Sequence, residues 1–187
     1  TKDENDFFKT KTGSFLGMYE RTKVNLDFFE PTGLSSLQSV LPIFKNANRS
    51  ILVHNSFTSA NDISAVKKQM PNTFWCLCPN ANQYIEQKNP PINMLMNSNC
   101  NMVIGTDSLA SNWQLHILEE IKTIQLSTNS VIPLSILLQW ATINGAKALQ
   151  LDHLVGSFEK GKTPGIVLIE NIEQFQLTHQ STARRIL

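Results

Sequence analysis

The chain has 187 residues, which at about 150 residues per domain corresponds to one domain with a small appendage. Its 16 Lys and Arg against 15 Asp and Glu leave a formal net charge of +1, so the basic surface that binds nucleic acid is missing. Hydrophobic residues make up 41% and charged residues 17%, which predicts a folded core. No apolar run approaches the roughly 18 residues of a membrane helix and no signal-peptide pattern opens the chain, so we predict a soluble, cytoplasmic protein without a membrane partner.

The cysteines and the first residue add two expectations. Cys76, Cys78 and Cys100 form no even disulfide framework, and the spacing of the first two differs from that of a zinc knuckle, so we predict reduced, structural thiols. The chain starts at Thr1 rather than at a methionine, which suggests a piece whose beginning lies elsewhere.

Three short apolar runs each end in a polar turn. They cover residues 51–53, 74–78 and 102–104, and they precede His54, Pro79 and Gly105 respectively. Continuous apolar runs of this kind are typical of strands that are buried on both faces of a parallel sheet. From His54 to Cys78 is 24 residues and from Cys78 to Thr106 is 28, which is the spacing of repeated strand–helix units. Both a doubly wound sheet and a (βα)8 barrel fit this spacing.

Two helices are predicted around the first of these runs. Apolar residues at steps of three and four predict a helix over 33–48, in which Pro42 indicates a kink or an early end. A second helix is predicted over 59–69, with Ser59 as its N-cap.

Two further helices are predicted after the third run. The first covers about 113–125, with Trp113 facing inward, Glu120 facing outward between two other charged residues, and His116 facing solvent. The second covers about 134–149, and its small residues predict close approach to a neighbouring element.

Helical periodicity stops after Leu151. Residues 156–161 are interpreted as a turn-rich hairpin, 166–169 as a strand and 174–178 as a weaker strand. The prediction is therefore an α/β domain over 1–150 and a small β segment over 151–187.

Five segments, in this order along the chain, carry a family resemblance. They are ILVHN (51–55), CLCPNAN (76–82), MVIGTDSLASN (102–112), ATINGAKALQL (141–151) and GSFEKGKTPGIVLI (156–169). With them the chain resembles the C-terminal half of the amidohydrolase superfamily, in its branch of cytosine, guanine and adenosine-type deaminases and chlorohydrolases. The resemblance implies an α/β fold: a partial (βα)8 TIM-type barrel of about strands six to eight, followed by C-terminal strands of a small β-sandwich.

The resemblance also implies roles for single residues. Asp107 would be the metal ligand that takes a proton from activated water, and His54 would polarise the substrate or bind a second metal. Asn80, Asn82 and Ser108 would line the substrate pocket. From the residues alone, other interpretations stay open, because Asp107 is also a good helix N-cap, His54 suits a structural role after a strand, and the asparagines are ordinary turn residues.

The implied cofactor is one divalent ion, zinc or iron, in the intact enzyme. The implied reaction is hydrolytic deamination, or related C–N or C–Cl hydrolysis, of a heterocyclic small molecule. A zinc site needs three or four protein ligands, whereas Asp107 is the one firm ligand here, so we expect this piece alone to be inactive and to bind metal weakly or not at all. The family's other metal-binding histidines and its catalytic Glu are not found in the chain.

Two alternatives remain. A half barrel leaves open sheet edges, which favours a non-catalytic scaffold, a homo-oligomer or pairing with the missing N-terminal half. The third hypothesis, a doubly wound ligand-binding domain that uses the 105–110 turn, is weak because that turn has too few glycines to hold a phosphate.

Overall fold

The computed structural model describes residues 1–44 and 46–187. Its helices are α1 (Lys2–Thr10), α2 (Ser14–Arg21), α3 (Ser36–Val40), a 3₁₀ turn (Leu41–Phe44), α4 (Ala60–Gln69), α5 (Pro79–Glu86), α6 (Ile92–Asn97), α7 (Ile117–Ser127), α8 (Leu134–Ala141) and α9 (Ile143–Ala148). Its strands are β1 (Ser50–Val53), β2 (Thr73–Leu77), β3 (Asn101–Ile104), β4 (Val167–Glu173) and β5 (Gln176–Arg185).

By its internal contacts the chain divides into two units. One comprises Thr1–Ser50 and Ser56–Thr73, and the other comprises Ile51–Asn55 and Phe74–Leu187. The predicted boundary near residue 150 lies inside the second unit and stays a prediction.

The three apolar runs form one sheet in the order β1-β2-β3. Strands β2 and β3 are parallel, with Phe74 opposite Asn101 and Leu77 opposite Ile104, so their carboxyl ends lie at one edge. The expected burial on both faces is wrong for β1, where Ile51 and Val53 are 39% and 48% exposed. The reason is that β1 is an edge strand of only three, and its apolar side chains alternate between faces.

The first unit contains the cap that the sequence predicts. Ser59 caps α4: its hydroxyl accepts a hydrogen bond from the backbone N–H of Asp62, whose carboxylate accepts one from the N–H of Ser59. The predicted helix over 33–48 is reduced to α3 and the 3₁₀ turn, in agreement with the early end expected at Pro42. Lys45, in the same predicted range, lies outside the described residues.

Helix α7 corrects three expectations. It begins at Ile117 rather than near 113, so Trp113 belongs to the preceding loop and is 62% exposed instead of facing the core. Glu120 is completely buried rather than outward, since it lies one turn before Ile124 on the helix face that packs inward. His116 is the residue before the helix, and its Nδ1 is buried without a hydrogen-bond partner among the described residues.

The predicted helix over 134–149 is two helices. Thr142, at φ −125° and ψ −91°, breaks it into α8 and α9. The close approach expected from the small residues involves Gly156, at φ +92°, where a Cβ atom would lie 2.8 Å from the Cβ of Ala146.

Strands β4 and β5 form an antiparallel hairpin with an irregularity between Glu170 and Ile172. Residues 156–161 form turns and bends without strands, so the hairpin expected there is wrong. The paired segments β4 and β5 come later and flank the turn at Gln174 and Phe175. The hairpin contacts α7 through Lys122, whose Nζ donates to the carbonyl of Ser181 at 2.8 Å.

The core of the second unit combines the sheet with the helices that follow it. Its fully buried side chains include Trp75, Leu77, Leu95, Met102, Ile121, Ile124 and Leu137. Among residues 1–44 and 46–187, no helix combines the length and the apolar character needed to cross a bilayer.

Candidate active site

The sheet places His54 and Asp107 at its carboxyl edge, in the second unit. His54 follows β1 directly, and its backbone N–H donates to the carbonyl of Cys76 in β2 at 3.0 Å. Asp107 stands three residues beyond the end of β3. Both residues adopt left-handed backbone conformations, at φ 69° and φ 59°. Conformations of this kind are costly for residues other than glycine and cluster at functional sites.

Asn82 fixes the orientation of the His54 ring. Its amide Nδ2 donates to the carbonyl oxygen of His54 at 3.3 Å, and its Oδ1 lies 2.7 Å from Nδ1 of the same residue. Because the amide nitrogen faces the carbonyl, the amide oxygen faces the ring, and Nδ1 must carry the proton that it donates. Neutral His54 therefore presents the lone pair of Nε2.

Nε2 of His54 lies 3.6 Å from Oδ2 of Asp107. The separation is too long for a hydrogen bond but close enough for an ion pair when the ring is protonated. The two side chains are 38% and 31% exposed, so a small molecule or an ion has access to the space between them.

The loop after β3 keeps Asp107 ionised. Ser111 donates from its hydroxyl to Oδ2 at 2.5 Å. The pKa of Asp107 is lowered below its ordinary value, chiefly by this hydrogen bond from Ser111. The backbone N–H of Ser108 and the nearby His54 ring lower it further, whereas partial burial opposes the shift. At neutral pH the group is a carboxylate, able to accept a proton or to bind a cation.

The other predicted pocket residues take different positions. Asn80 is 6% exposed, and its side-chain oxygen accepts a hydrogen bond from the hydroxyl of Thr123 at 2.5 Å, so that oxygen is directed toward α7. Ser108 is exposed, with its hydroxyl 3.3 Å from that of Ser111. Of the predicted set, His54, Asn82 and Asp107 are therefore brought together, and the substrate-binding roles of Asn80, Asn82 and Ser108 stay predictions.

Glu120 is the residue that the sequence analysis missed. Its Oε2 accepts from the backbone N–H of Asn80 at 2.9 Å, and its Oε1 accepts from Nδ2 of Asn112 at 2.7 Å. Burial raises the pKa of Glu120, and these hydrogen bonds only partly oppose the rise. The sequence feature that could have indicated its burial is its position four residues before Ile124, on the apolar face of α7.

Asp107 and His54 are residue types that bind zinc, but they do not complete a site. In the described part of the chain, no group of three or more His, Cys, Asp and Glu side chains is placed to hold a metal ion. Two donors fall short of the three or four protein ligands that zinc needs. Cys76 and Cys78 are free, with their sulfurs 4.0 Å apart.

Comparison with known proteins shows which family the chain resembles. The model of the amidohydrolase family matches residues 31–183. The 5-methylthioadenosine/S-adenosylhomocysteine deaminase of Thermoanaerobacter pseudethanolicus is 30% identical over 165 residues, which cover 85% of this chain and 38% of that protein.

Two solved structures are similar as well. The Helicobacter pylori aminofutalosine deaminase, in complex with methylthio-coformycin, has a TM-score of 0.77 and 26% identity over 95% of this chain and 42% of that one. An adenosine deaminase from Xanthomonas campestris with bound zinc has a TM-score of 0.64 and 26% identity over 74% of this chain and 32% of that one. The chain spans about two fifths of the length of curated relatives such as the Thermoanaerobacter pseudethanolicus deaminase and the adenosine deaminase of Helicobacter pylori.

The parallel sheet, with an acid and an imidazole at its carboxyl edge, defines part of a TIM-barrel-type α/β protein. The chain belongs to the amidohydrolase family. The resemblance carried by the five sequence segments is thereby confirmed, whereas the assignment of β1 to β3 as barrel strands six to eight stays a prediction.

Proposed function

We propose that this chain is the C-terminal part of a metal-dependent amidohydrolase that removes the amino group of an adenosine-type nucleoside by hydrolysis. The observation that carries the proposal is the approach of His54 Nε2 to within 3.6 Å of Asp107 Oδ2, at one edge of the sheet, in a chain of this family. A carboxylate beside an imidazole whose tautomer is fixed suits proton transfer in hydrolysis.

The substrate class is supported by the relatives. The similar proteins are named as deaminases of 5-methylthioadenosine and S-adenosylhomocysteine, of adenosine and of 5′-deoxyadenosine. These substrates share the adenosine ring system and differ at the 5′ position of the sugar. We therefore assign the amino group of that ring as the leaving group, and leave the 5′ substituent to experiment.

The reaction joins a water oxygen to the ring carbon that bears the amino group, breaks the carbon–nitrogen bond and releases ammonia. Asp107, held ionised by Ser111, accepts a proton from the attacking water and returns it to the departing amino group, which leaves as ammonia. His54, with its Nδ1 proton held by Asn82, polarises the substrate ring at the site of attack when its imidazole is protonated, by donating a hydrogen bond from Nε2. A bound divalent cation would supply a nucleophile at neutral pH by acidifying water.

Asp107 would be one ligand of that cation. In this proposal the remaining ligands are supplied by other parts of a longer protein, since the described residues hold no group of three such donors. The proposal accordingly concerns a longer protein, about two fifths of which is represented here if its length resembles that of its relatives.

The test is to express the reading frame that contains this chain with its flanking coding sequence, supply zinc, and measure ammonia release from adenosine and from 5-methylthioadenosine. We expect Asp107→Ala to lose metal, measured by elemental analysis, together with activity. His54→Ala should keep the metal and lose rate by about 10²–10⁴-fold, the range of general acid–base groups. Glu170→Gln, on the exposed face of β4, is the matched control and should keep full activity.

Equal turnover and metal content in Asp107→Ala and the unchanged protein would remove Asp107 from the mechanism. Absence of ammonia release with every adenosine-type substrate, in a folded and metal-loaded protein, would remove the proposed reaction.

A second candidate is a non-catalytic scaffold that self-associates. The observation in its favour is the exposure of Ile51 and Val53 on the edge strand β1, since such edges pair with other chains. A folded longer protein that associates through β1 and releases no ammonia would support this candidate over the first.

A further inference from the structure

Glu120 joins two segments beside the proposed catalytic pair: the first turn of α5, which carries Asn82, and the loop after β3, which carries Asp107. One carboxylate oxygen accepts the backbone N–H of Asn80, in the first turn of α5 after β2. The other accepts Nδ2 of Asn112, in the loop after β3. A single buried side chain in α7 therefore links two segments, α5 and the loop after β3, at the carboxyl edge of the sheet.

Each contact lies one step from a proposed catalytic group. Asn82 follows Asn80 by two residues in the same helical turn, and its amide bonds both the ring and the carbonyl of His54. On the other side, Nδ2 of Asn112 also donates to the carbonyl of Thr106 at 2.7 Å, and Thr106 immediately precedes Asp107. Glu120 is thus connected to His54 through Asn80 and the turn that carries Asn82, and to Asp107 through Asn112 and Thr106.

A purely structural carboxylate is a costly choice at this place. Glu120 has no exposed surface, and no ion pair among the described residues involves it. Burying an acid without a cationic partner disfavours folding, and an apolar residue would fill the same volume at lower cost. An acid does, however, provide two acceptor oxygens that can bond a donor from α5 and a donor from the loop after β3 at the same time, which neither an apolar residue nor an amide can do.

We propose that Glu120 is a positioning residue, which holds His54 and Asp107 at their working separation through Asn80 and Asn112. This inference rests on the proposed function for its kinetic consequence, but its geometric consequence is independent of the reaction. Glu120 does not touch the reacting atoms, so its loss should lower the rate of the chemical step more than the binding of substrate.

The main variant is Glu120→Gln in the longer, metal-loaded protein. Glutamine has nearly the same volume, but its NH₂ group must face either the N–H of Asn80 or the NH₂ of Asn112, so one of the two contacts becomes a clash of donors. We expect kcat to fall about 10–100-fold, as for other residues that orient catalytic groups, with KM changed less than about twofold. The midpoint of thermal unfolding should stay near that of the unchanged protein, because the variant also removes a buried acid.

The matched control is Glu119→Gln, one residue earlier on the same helix. Glu119 pairs with Lys122 near the surface instead of bonding Asn80 and Asn112, so this variant should keep kcat and KM. Asn112→Ala is the second test variant in case Glu120→Gln fails to fold. It removes the link to Thr106 while keeping the acid, and should show the same selective loss of kcat.

A crystal structure of Glu120→Gln separates this inference from the proposed reaction. The distance from His54 Nε2 to Asp107 Oδ2 is 3.6 Å in the unchanged protein. In the variant we expect it to lengthen or to become variable, because either the start of α5 or the loop after β3 shifts. If the unchanged protein releases no ammonia but the variant shows this displacement, the positioning role stands and the deaminase proposal fails. If the variant keeps both the distance and kcat, or loses only thermal stability, Glu120 has a structural role and the inference is wrong.

Discussion

The side chain of Asn144 reaches from α9 to the backbone of β3, where its Nδ2 donates to the carbonyl oxygen of Met102 at 2.9 Å. Strand β3 ends the described sheet, so this carbonyl has no neighbouring strand in that sheet to bond. Asn144, in the segment ATINGAKALQL, thus takes the place of a neighbouring strand at the edge of the sheet. The carbonyl that it bonds, that of Met102, lies five residues before Asp107.

We predict that Asn144→Ala lowers the free energy of unfolding by about 1–3 kcal/mol, because the Met102 carbonyl loses its donor. Urea unfolding at pH 7 measures the change. Asn97→Ala, at the exposed end of α6, is the control and should alter stability by less than about 0.5 kcal/mol. Equal stability of the two variants would show that water replaces the amide at no cost.

The buried carboxylate of Asp62 makes the stability of the first unit depend on pH. Burial alone would raise the pKa of Asp62, but hydrogen bonds from Ser35, Gln38 and Ser59 outweigh it and lower the pKa below its ordinary value. The carboxylate therefore stabilises the fold at a pH above the unfolded pKa of about 3.9, and this contribution is lost as the pH falls through the folded value.

We accordingly predict that Asp62→Asn destabilises the protein by about 1–3 kcal/mol at pH 7, because its NH₂ group faces donors. The difference from the unchanged protein should shrink as the pH is lowered below about 4 in a series of urea titrations. Asp27→Asn, at an exposed position, is the control and should alter stability at pH 7 by less than about 0.5 kcal/mol. A difference that stays constant with pH would mean that the Asp62 charge does not contribute.

Gly105 permits the close approach of β3 to β2 at the site. A Cβ atom at this position would lie 2.9 Å from Sγ of Cys76 and 3.4 Å from Sγ of Cys78. We predict that Gly105→Ala costs about 1–3 kcal/mol of stability, the usual range for overpacking. Gly17→Ala, inside helix α2 with room for the methyl group, should instead be neutral or stabilising by up to about 1 kcal/mol.

A double-mutant cycle tests the cause. In a Cys76→Ala background the nearest atom is gone, so Gly105→Ala should cost clearly less than in the unchanged protein. An equal loss of stability in both backgrounds would show that the strain does not come from the contact with Cys76. Thermal unfolding of the four proteins measures the coupling energy between positions 105 and 76.

Zinc should do little to the isolated 187-residue chain. With Asp107 and His54 as the nearest pair of donors and no third donor described beside them, we predict that a zinc titration leaves the melting temperature within about 1 °C of the metal-free value. The longer protein, by contrast, should be stabilised in the same titration. A rise in the melting temperature of the isolated chain that disappears in Asp107→Ala would show that these residues hold zinc unaided.

The sequence determined the local features of this protein. The apolar runs before His54 and Gly105 predict the strands β1 and β3, because a strand and its end are encoded within a few neighbouring residues. The Ser59 cap follows in the same way from Ser59 and Asp62 alone. The five segments, in their order along the chain, were sufficient to identify the amidohydrolase family.

The tertiary structure alone decided what depends on contacts between distant segments. Glu120 looks like a surface acid in the pattern of α7, and only the donors supplied by Asn80 and Asn112 allow it to be buried. The pairing of Asn82 with His54 likewise spans 28 residues and depends on how the strands align. Periodicity reports the average environment of a helix face, whereas the satisfaction of one buried polar group depends on which segments meet it in space.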